Sequence, residues 1–180
     1  MDQGPLTLIV SSAPWNVFAT LTFRRVPSEA AALRAMLGWW DWAARITRID
    51  RERFLGFCRM EKGELNQRLH LHSLIVIPES CLGYFYAGPK IVTQAVLAWR
   101  RFGLSKYRPV SEFGDSAVPY LTEENTSGAD FYESQKTAHG QDVVISNGFA
   151  RMLKARKRET IAADTRNVSA ATLATFRERA

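Results

Sequence analysis

Only three histidines occur in the 180 residues, and two of them, His70 and His72, lie two apart in the run Leu69-His70-Leu71-His72-Ser73-Leu74-Ile75-Val76-Ile77. An apolar, β-branched stretch of this kind, stopped by Pro78, predicts a strand. Side chains alternate across a strand, so both imidazoles leave the same face, about 6–7 Å apart along the backbone. Leu69, Leu71, Ser73, Ile75 and Ile77 take the other face, the one expected to pack on helices. Two imidazoles presented side by side are ready donors for a divalent ion. The plainer reading is two half-buried rings packed among sheet neighbours. Structural zinc is a poor alternative, because the chain has only two cysteines, Cys58 and Cys81, and no Cys/His quartet of the needed spacing.

The elements that must hold this pair can be read from the surrounding pattern. Val17 to Phe23 (VFATLTF) is a strand by composition. Ser28 can cap a helix running to about Ile46, with Leu33, Met36, Leu37, Trp40 and Ala44 on one face. Phe54 to Met60 is a second strand, and Glu61 to Arg68, with Gly63 and Asn66, reads as the hairpin connection into the histidine strand. Pro89 can open a second helix with Val92, Ala95, Val96 and Trp99 inward and Gly103 just beyond its end. Lys106 to Phe113 makes a fourth strand, in which Pro109 argues for an edge position or a break. Strand, helix, strand, strand, helix, strand is the split βαβ order of ferredoxin-like and RRM-like folds. The expected class is therefore α+β, an antiparallel sheet of four to five strands with both helices on one face and the other face free for a site. A short helix near Ser116 with Pro119 in its first turn, a cap at Ser127, and a strand from Val143 to Ser146 complete the pattern.

Composition narrows the function classes. With 46% apolar and 11% aromatic residues the chain can bury a core, and 24 Lys and Arg against 18 acids give a formal charge of +6. An anionic partner is expected, nucleic acid ahead of a membrane surface. The basic residues are unevenly spread. From Pro109 to Gln135 there is no Lys or Arg and there are six acids, whereas Arg151, Lys154, Arg156, Lys157 and Arg158 fall within eight residues. Two cysteines do not make a disulfide framework. The opening ten residues lack a basic n-region, and nothing approaches 18 consecutive apolar residues. A cytoplasmic protein without a membrane partner is the expectation.

His70-Leu71-His72, flanked by apolar residues and preceded by Glu61, resembles the HUH motif of the HUH endonucleases. Within that superfamily the chain is most similar to the rolling-circle replication initiators (Rep). Thr20-Leu21-Thr22-Phe23 fits the family's first motif, an apolar-Thr-apolar-Thr strand. The resemblance spans about residues 15 to 150, in the family's motif order. It implies a nuclease domain over 1–150 followed by a basic extension over 151–180. It also implies a divalent metal, Mg or Mn, held by His70, His72 and a carboxylate; Zn would bind the imidazoles and could fill the site without supporting the reaction. Glu61 is the first choice for the carboxylate, since a hairpin can return it beside His70, and a solvated hairpin glutamate is the alternative.

The resemblance further implies a nucleophilic tyrosine on a helix, with a lysine three or four residues on. Tyr120 follows the fourth strand and sits near a helix start, but Glu123 stands where the lysine is expected, and a glutamate disfavours a phenolate. Glu124, one turn past Tyr120, is then a second candidate for the third metal ligand, as in the single-strand transposase branch. Tyr132 is the rival nucleophile, because Tyr132 and Lys136 share one helix face at i, i+4. The implied activity is a site-specific DNA nickase and strand-transferase that starts rolling-circle replication through a 5′-phosphotyrosine ester. The chain lacks a Gly-x-x-x-x-Gly-Lys-Ser/Thr loop, so a separate helicase and a polymerase are expected partners beside single-stranded or origin hairpin DNA.

DNA binding combines phosphate neutralisation with base stacking. Candidates for the first are Arg24 and Arg25 after the first strand, the group Arg45, Arg48, Arg51 and Arg53, and the tail residues Lys154, Arg156, Lys157 and Arg158; a solvated face is the alternative for each. Tyr84, Phe85 and Tyr86 are candidate stacking platforms, with cover for a sheet edge as the equal alternative. Two other functions stay open: a relaxase or transposase of the same superfamily, and a non-catalytic nucleic-acid-binding module on an RRM-like sheet.

Overall fold

A computed structural model describes residues 5–62, 69–86, 91–122 and 143–159. Five strands carry the fold: β1 (Val17–Phe23), β2 (Gly56–Lys62), β3 (Leu69–Ile75), β4 (Gly103–Pro109) and β5 (Val143–Ile145). They form one sheet in the order β4-β1-β3-β2-β5, each pair antiparallel. β3 therefore lies between β1 and β2, which gives the split βαβ arrangement expected from the order of elements. β5 adds a fifth strand beside β2.

The sheet's two faces follow from strand parity. Val17, Ala19, Leu21, Cys58, Met60, Leu71 and Ile75 point to one side and pack on α2 (Glu29–Ile46) and α3 (Gln94–Trp99). α2 starts where Ser28, in extended backbone, accepts a hydrogen bond from the Ala31 amide at 3.3 Å, which satisfies one of the helix's orphan donors. Its buried stripe is Ala32, Met36, Trp39, Trp40 and Ala43. Each large member removes enough apolar surface from water to stabilise by roughly 1.5–3 kcal/mol. The Ser73 hydroxyl buried under this helix is satisfied twice: it accepts from Trp40 Nε1 at 3.0 Å and donates to the Phe57 carbonyl at 2.9 Å. α2 stops at Thr47, and Arg48 turns the chain with φ 57°.

The second face is not bare, which corrects the expectation that it would be free. Phe18, Phe57 and Leu74 project from it and are covered by Val10 of α1 (Pro5–Val10), Trp15, Leu121 of α4 (Ala117–Thr122) and Phe149 of α5, a helix over 147–159. Three large apolar side chains on one end of a face demand a cover, and the short helices supply it. α5 crosses residue 150 and packs Met152 and Leu153 on this cluster. Phe149, Met152 and Leu153 have helical i, i+3, i+4 spacing, a signal hidden in the sequence by the basic run.

Other boundaries shift modestly. β2 begins at Gly56 rather than Phe54, and β3 ends at Ile75. α3 opens at Gln94, capped by Thr93, so Val92 lies outside it and is 63% exposed; Pro89 lies outside the described residues. β4 begins at Gly103, earlier than expected, and takes the predicted edge position. A Cβ on Gly103 would collide with the Thr22 carbonyl, so the close approach of β4 to β1 requires glycine there. Phe113 belongs to the 3-10 segment Val110–Ser116, not to a strand. Among the described residues no helix is long and apolar enough to cross a membrane.

Candidate functional site

Beyond the apolar cluster the second face turns polar, and register fixes which side chains meet. Lys106 on β4 pairs with Thr20 on β1, Thr20 with His72 on β3, and His72 with Arg59 on β2. One row further along, Leu104, Thr22, His70 and Glu61 line up in the same way. Neighbours in a row stand within side-chain reach. The expected convergence of Glu61 on the histidine strand is observed, because the β2–β3 pairing sets Glu61 opposite His70.

Both imidazoles are oriented from β1. Thr22 Oγ1 lies 2.9 Å from His70 Nδ1, and Thr20 Oγ1 lies 3.3 Å from His72 Nδ1. A hydroxyl can donate to a bare ring nitrogen or accept from a protonated one, so these contacts survive a change of tautomer. They hold the two rings nearly parallel, at an interplanar angle of 16° with centroids 6.4 Å apart. The edge of His72 opposite its Nδ1 meets Glu61, with Nε2 3.4 Å from Oε2. Burial pushes the Glu61 carboxyl up, but the hydrogen bond to His72 and the charges of His72, Arg59 and His70 outweigh it, and the carboxyl is held below its ordinary value. Glu61 is thus a carboxylate at neutral pH.

Two imidazoles with their Nδ1 positions engaged by hydroxyls, beside one carboxylate, are the donor types that a divalent ion takes, and the threonines supply the outer hydrogen bonds such ligands use. The set is open rather than closed. Ring nitrogens bind metal at about 2.0–2.1 Å, so parallel rings this far apart must swing together to share one ion. Among the described residues no group of three or more His, Cys, Asp or Glu side chains is tight enough to hold a metal as it stands.

Arg59 was not singled out in the sequence, and it ties the site together. It is 7% exposed. Its Nη1 donates to the Leu121 carbonyl at 2.9 Å, and its Nε lies 3.7 Å from Glu61 Oε1. Its backbone pairs with Val143 of β5. The helix α4, whose backbone includes Tyr120, is therefore fastened at its carboxyl end to the same face as the histidines. Strand parity carried the signal: Arg59 is two residues before Glu61 and must share its face. The same parity places Lys106 and Arg108 together on the site face of β4.

The remaining candidates divide as follows. Tyr132, Lys136 and Glu124 lie outside the described residues. Arg24 and Arg25 are exposed immediately after β1, and Lys154, Arg156, Lys157 and Arg158 are exposed on α5. Arg51 and Arg151 are engaged in ion pairs, with Asp41 at 2.8 Å and Glu52 at 2.6 Å. Of the suggested stacking platforms, only Tyr84 is open to solvent. Phe85 is buried in the α2 core, and the Tyr86 hydroxyl donates to the Asn16 carbonyl at 2.7 Å. An aromatic run after a strand was compatible with a loop platform or a cover, and here core demand won. Comparison of the chain with protein-family models, curated proteins and solved structures gives no match.

Proposed function

We propose that this chain is a metal-dependent, site-specific single-stranded DNA nickase and strand-transferase of HUH type, acting to initiate rolling-circle replication of a plasmid or phage. The observation that carries the reading is the pairing of two motifs across β1 and β3: each threonine of Thr20-Leu21-Thr22 holds the Nδ1 of one histidine of His70-Leu71-His72. Core packing does not need hydroxyls aligned on two adjacent imidazoles, whereas metal ligands do need their rear nitrogens fixed.

His70, His72 and Glu61 would hold Mg²⁺ or Mn²⁺, which when bound orients the scissile phosphate and stabilises its developing charge. Thr20 and Thr22 hold the imidazoles in place. Arg59 sets its charge beside Glu61 and fastens α4. Tyr120 on α4 is the proposed nucleophile: its phenol oxygen forms the bond to phosphorus, the bond from phosphorus to the 3′ oxygen breaks, and that oxygen leaves as a 3′-hydroxyl with the proton the phenol gives up. The 5′ end stays esterified to the protein, and the free 3′ end primes a polymerase. A separate helicase unwinds the duplex.

The test is formation of a covalent band between the protein and origin-containing single-stranded DNA in Mn²⁺. The band is expected to vanish with EDTA, in His72→Ala and in Tyr120→Phe, and to persist in Tyr132→Phe. Loss in Tyr132→Phe with retention in Tyr120→Phe reassigns the nucleophile to Tyr132. One observation favours a second reading: the two rings stand 6.4 Å apart, without a compact ligand set among the described residues. A non-catalytic single-stranded nucleic-acid-binding module on the same sheet accounts for that, and tight DNA binding with no adduct on any origin sequence selects it.

A further inference from the structure

A pocket of about 200 Å³ opens beside the histidine pair, lined by Phe18, Thr20, His72, Lys106, Arg108 and Phe113. Its floor is aromatic: Phe18 is buried, and the half-buried Phe113 ring lies 4.7 Å from it, centroid to centroid. Its outer wall is cationic. Lys106 and Arg108 are exposed on edge strand β4 and point to the same side, and neither forms an ion pair with a carboxylate among the described residues. The Arg108 guanidinium lies over the Phe113 ring at 5.7 Å from its centroid. The inner wall is His72 with Thr20 behind it, the same groups that form the candidate metal site.

We infer that this pocket takes one base of single-stranded DNA, stacked against Phe113 and Arg108, while Lys106 neutralises the phosphate that joins this nucleotide to the one at His72. Three features select such a ligand. The volume is below that of ordinary small-molecule pockets, which begin near about 300 Å³, and suits a single planar ring system rather than a whole cofactor. An aromatic ring with a guanidinium over it offers the sequence-tolerant stacking surface that single-strand binders use. Cations on the edge strand, alternating out of the sheet beside an aromatic floor, track a chain of phosphates past the site. The assignment of the neighbouring nucleotide to the reaction rests on the nickase reading; the base pocket itself does not.

The experiment separates the two. Binding of a fluorescein-labelled single-stranded oligonucleotide of mixed sequence is measured by anisotropy in EDTA, and covalent adduct formation is measured separately in Mn²⁺. Phe113→Ala is expected to weaken binding about tenfold, within what one stacked base contributes. Lys106→Gln is expected to lower the slope of log K against log salt by about 0.7, the share of one phosphate contact on a single strand. A series of oligonucleotides carrying one abasic site each should show one position whose loss costs the parent protein about tenfold and costs Phe113→Ala nothing further. Phe113→Leu, which keeps the floor apolar, guards against misfolding and should show the same loss of base sensitivity. Parent-like binding by Phe113→Ala and Phe113→Leu, or an abasic penalty unchanged in them, overturns the pocket even if the adduct forms. The expected binding pattern without any adduct sinks the nickase and leaves the pocket standing. Tighter binding of RNA of the same sequence overturns the assignment to DNA.

Discussion

Leu71 and His72 are consecutive residues that serve opposite faces of one sheet. On the α2 side, Leu71 joins Val17, Leu21, Met36, Trp39 and Trp40 in a closed apolar layer in which the buried Ser73 hydroxyl is fully bonded. On the other side, the end carrying Phe18, Phe57 and Leu74 is covered by apolar groups, and the end carrying His72, Thr20, Arg59 and Glu61 is polar. The first face has one requirement, density. The second splits between anchoring three short helices and holding charged and imidazole groups, of which His72 and Arg59 are buried and His70 and Glu61 half-buried. A sheet packed on one side by a large apolar layer can carry polar groups on the other, because most of its stability comes from that layer.

Substitutions in this adjacent pair give the sharpest break in that comparison. Leu71→Ala should lower the unfolding free energy by about 2–5 kcal/mol, the range for a fully buried leucine, with specific adduct-forming activity per folded molecule unchanged. His72→Ala should lose at least about 100-fold in activity, exceeding what a residue behind a metal ligand contributes, with the larger part of the stability kept. Chemical denaturation and adduct assays on both variants decide it; a reversed pattern would mean that the faces have been assigned the wrong tasks. Arg59→Met is next, expected to cost about 1–3 kcal/mol because the Leu121 carbonyl loses its donor, and to slow adduct formation more than it weakens DNA binding. Thr22→Val keeps the shape and removes the hydroxyl on His70, and should weaken Mn²⁺ affinity by about tenfold; titration calorimetry that finds unchanged affinity removes the positioning role.

Acid sensitivity is the subtler contrast. The carboxyl of Glu61 is held lower in the folded protein than in the unfolded chain, so it adds stability above the unfolded value near pH 4.3 and loses it as pH falls through the folded value. The stability gap between the parent and Glu61→Gln should therefore be widest at neutral pH and narrow toward pH 3; parallel curves would sink this account. The smallest effect belongs to the cysteines. Burial pushes the Cys58 thiol well up, with the Glu61 charge adding to it, so a thiol reagent at pH 8 should label Cys81 alone until the protein is unfolded. Equal labelling in the folded state contradicts the closed face.

Much of this division was legible in the sequence. Alternation in Leu69-His70-Leu71-His72 assigned each side chain to its face, and the spacing of Met36, Trp40 and Ala44 located the covering helix. The strand order followed from the sequence of elements. What escaped was whatever depends on tertiary demand. Nothing local in Pro5–Val10 announces a helix, because six residues form one only when packing supports it. α5 was masked by its own charges, and Phe85 went to the core although its position after a strand suited an open loop. Arg59 reads in sequence as one more basic residue on a basic protein; only pairing to β3 and β5 makes it a buried donor.

Leu121, where α4 is held, and Val143, where β5 begins, both meet Arg59: one through its guanidinium, the other through its backbone. One arginine thus couples the carboxyl end of α4 to the β2–β5 edge of the sheet. A shift of β2 against β5 is thereby passed on to the segment that includes Leu121, within one residue of Tyr120.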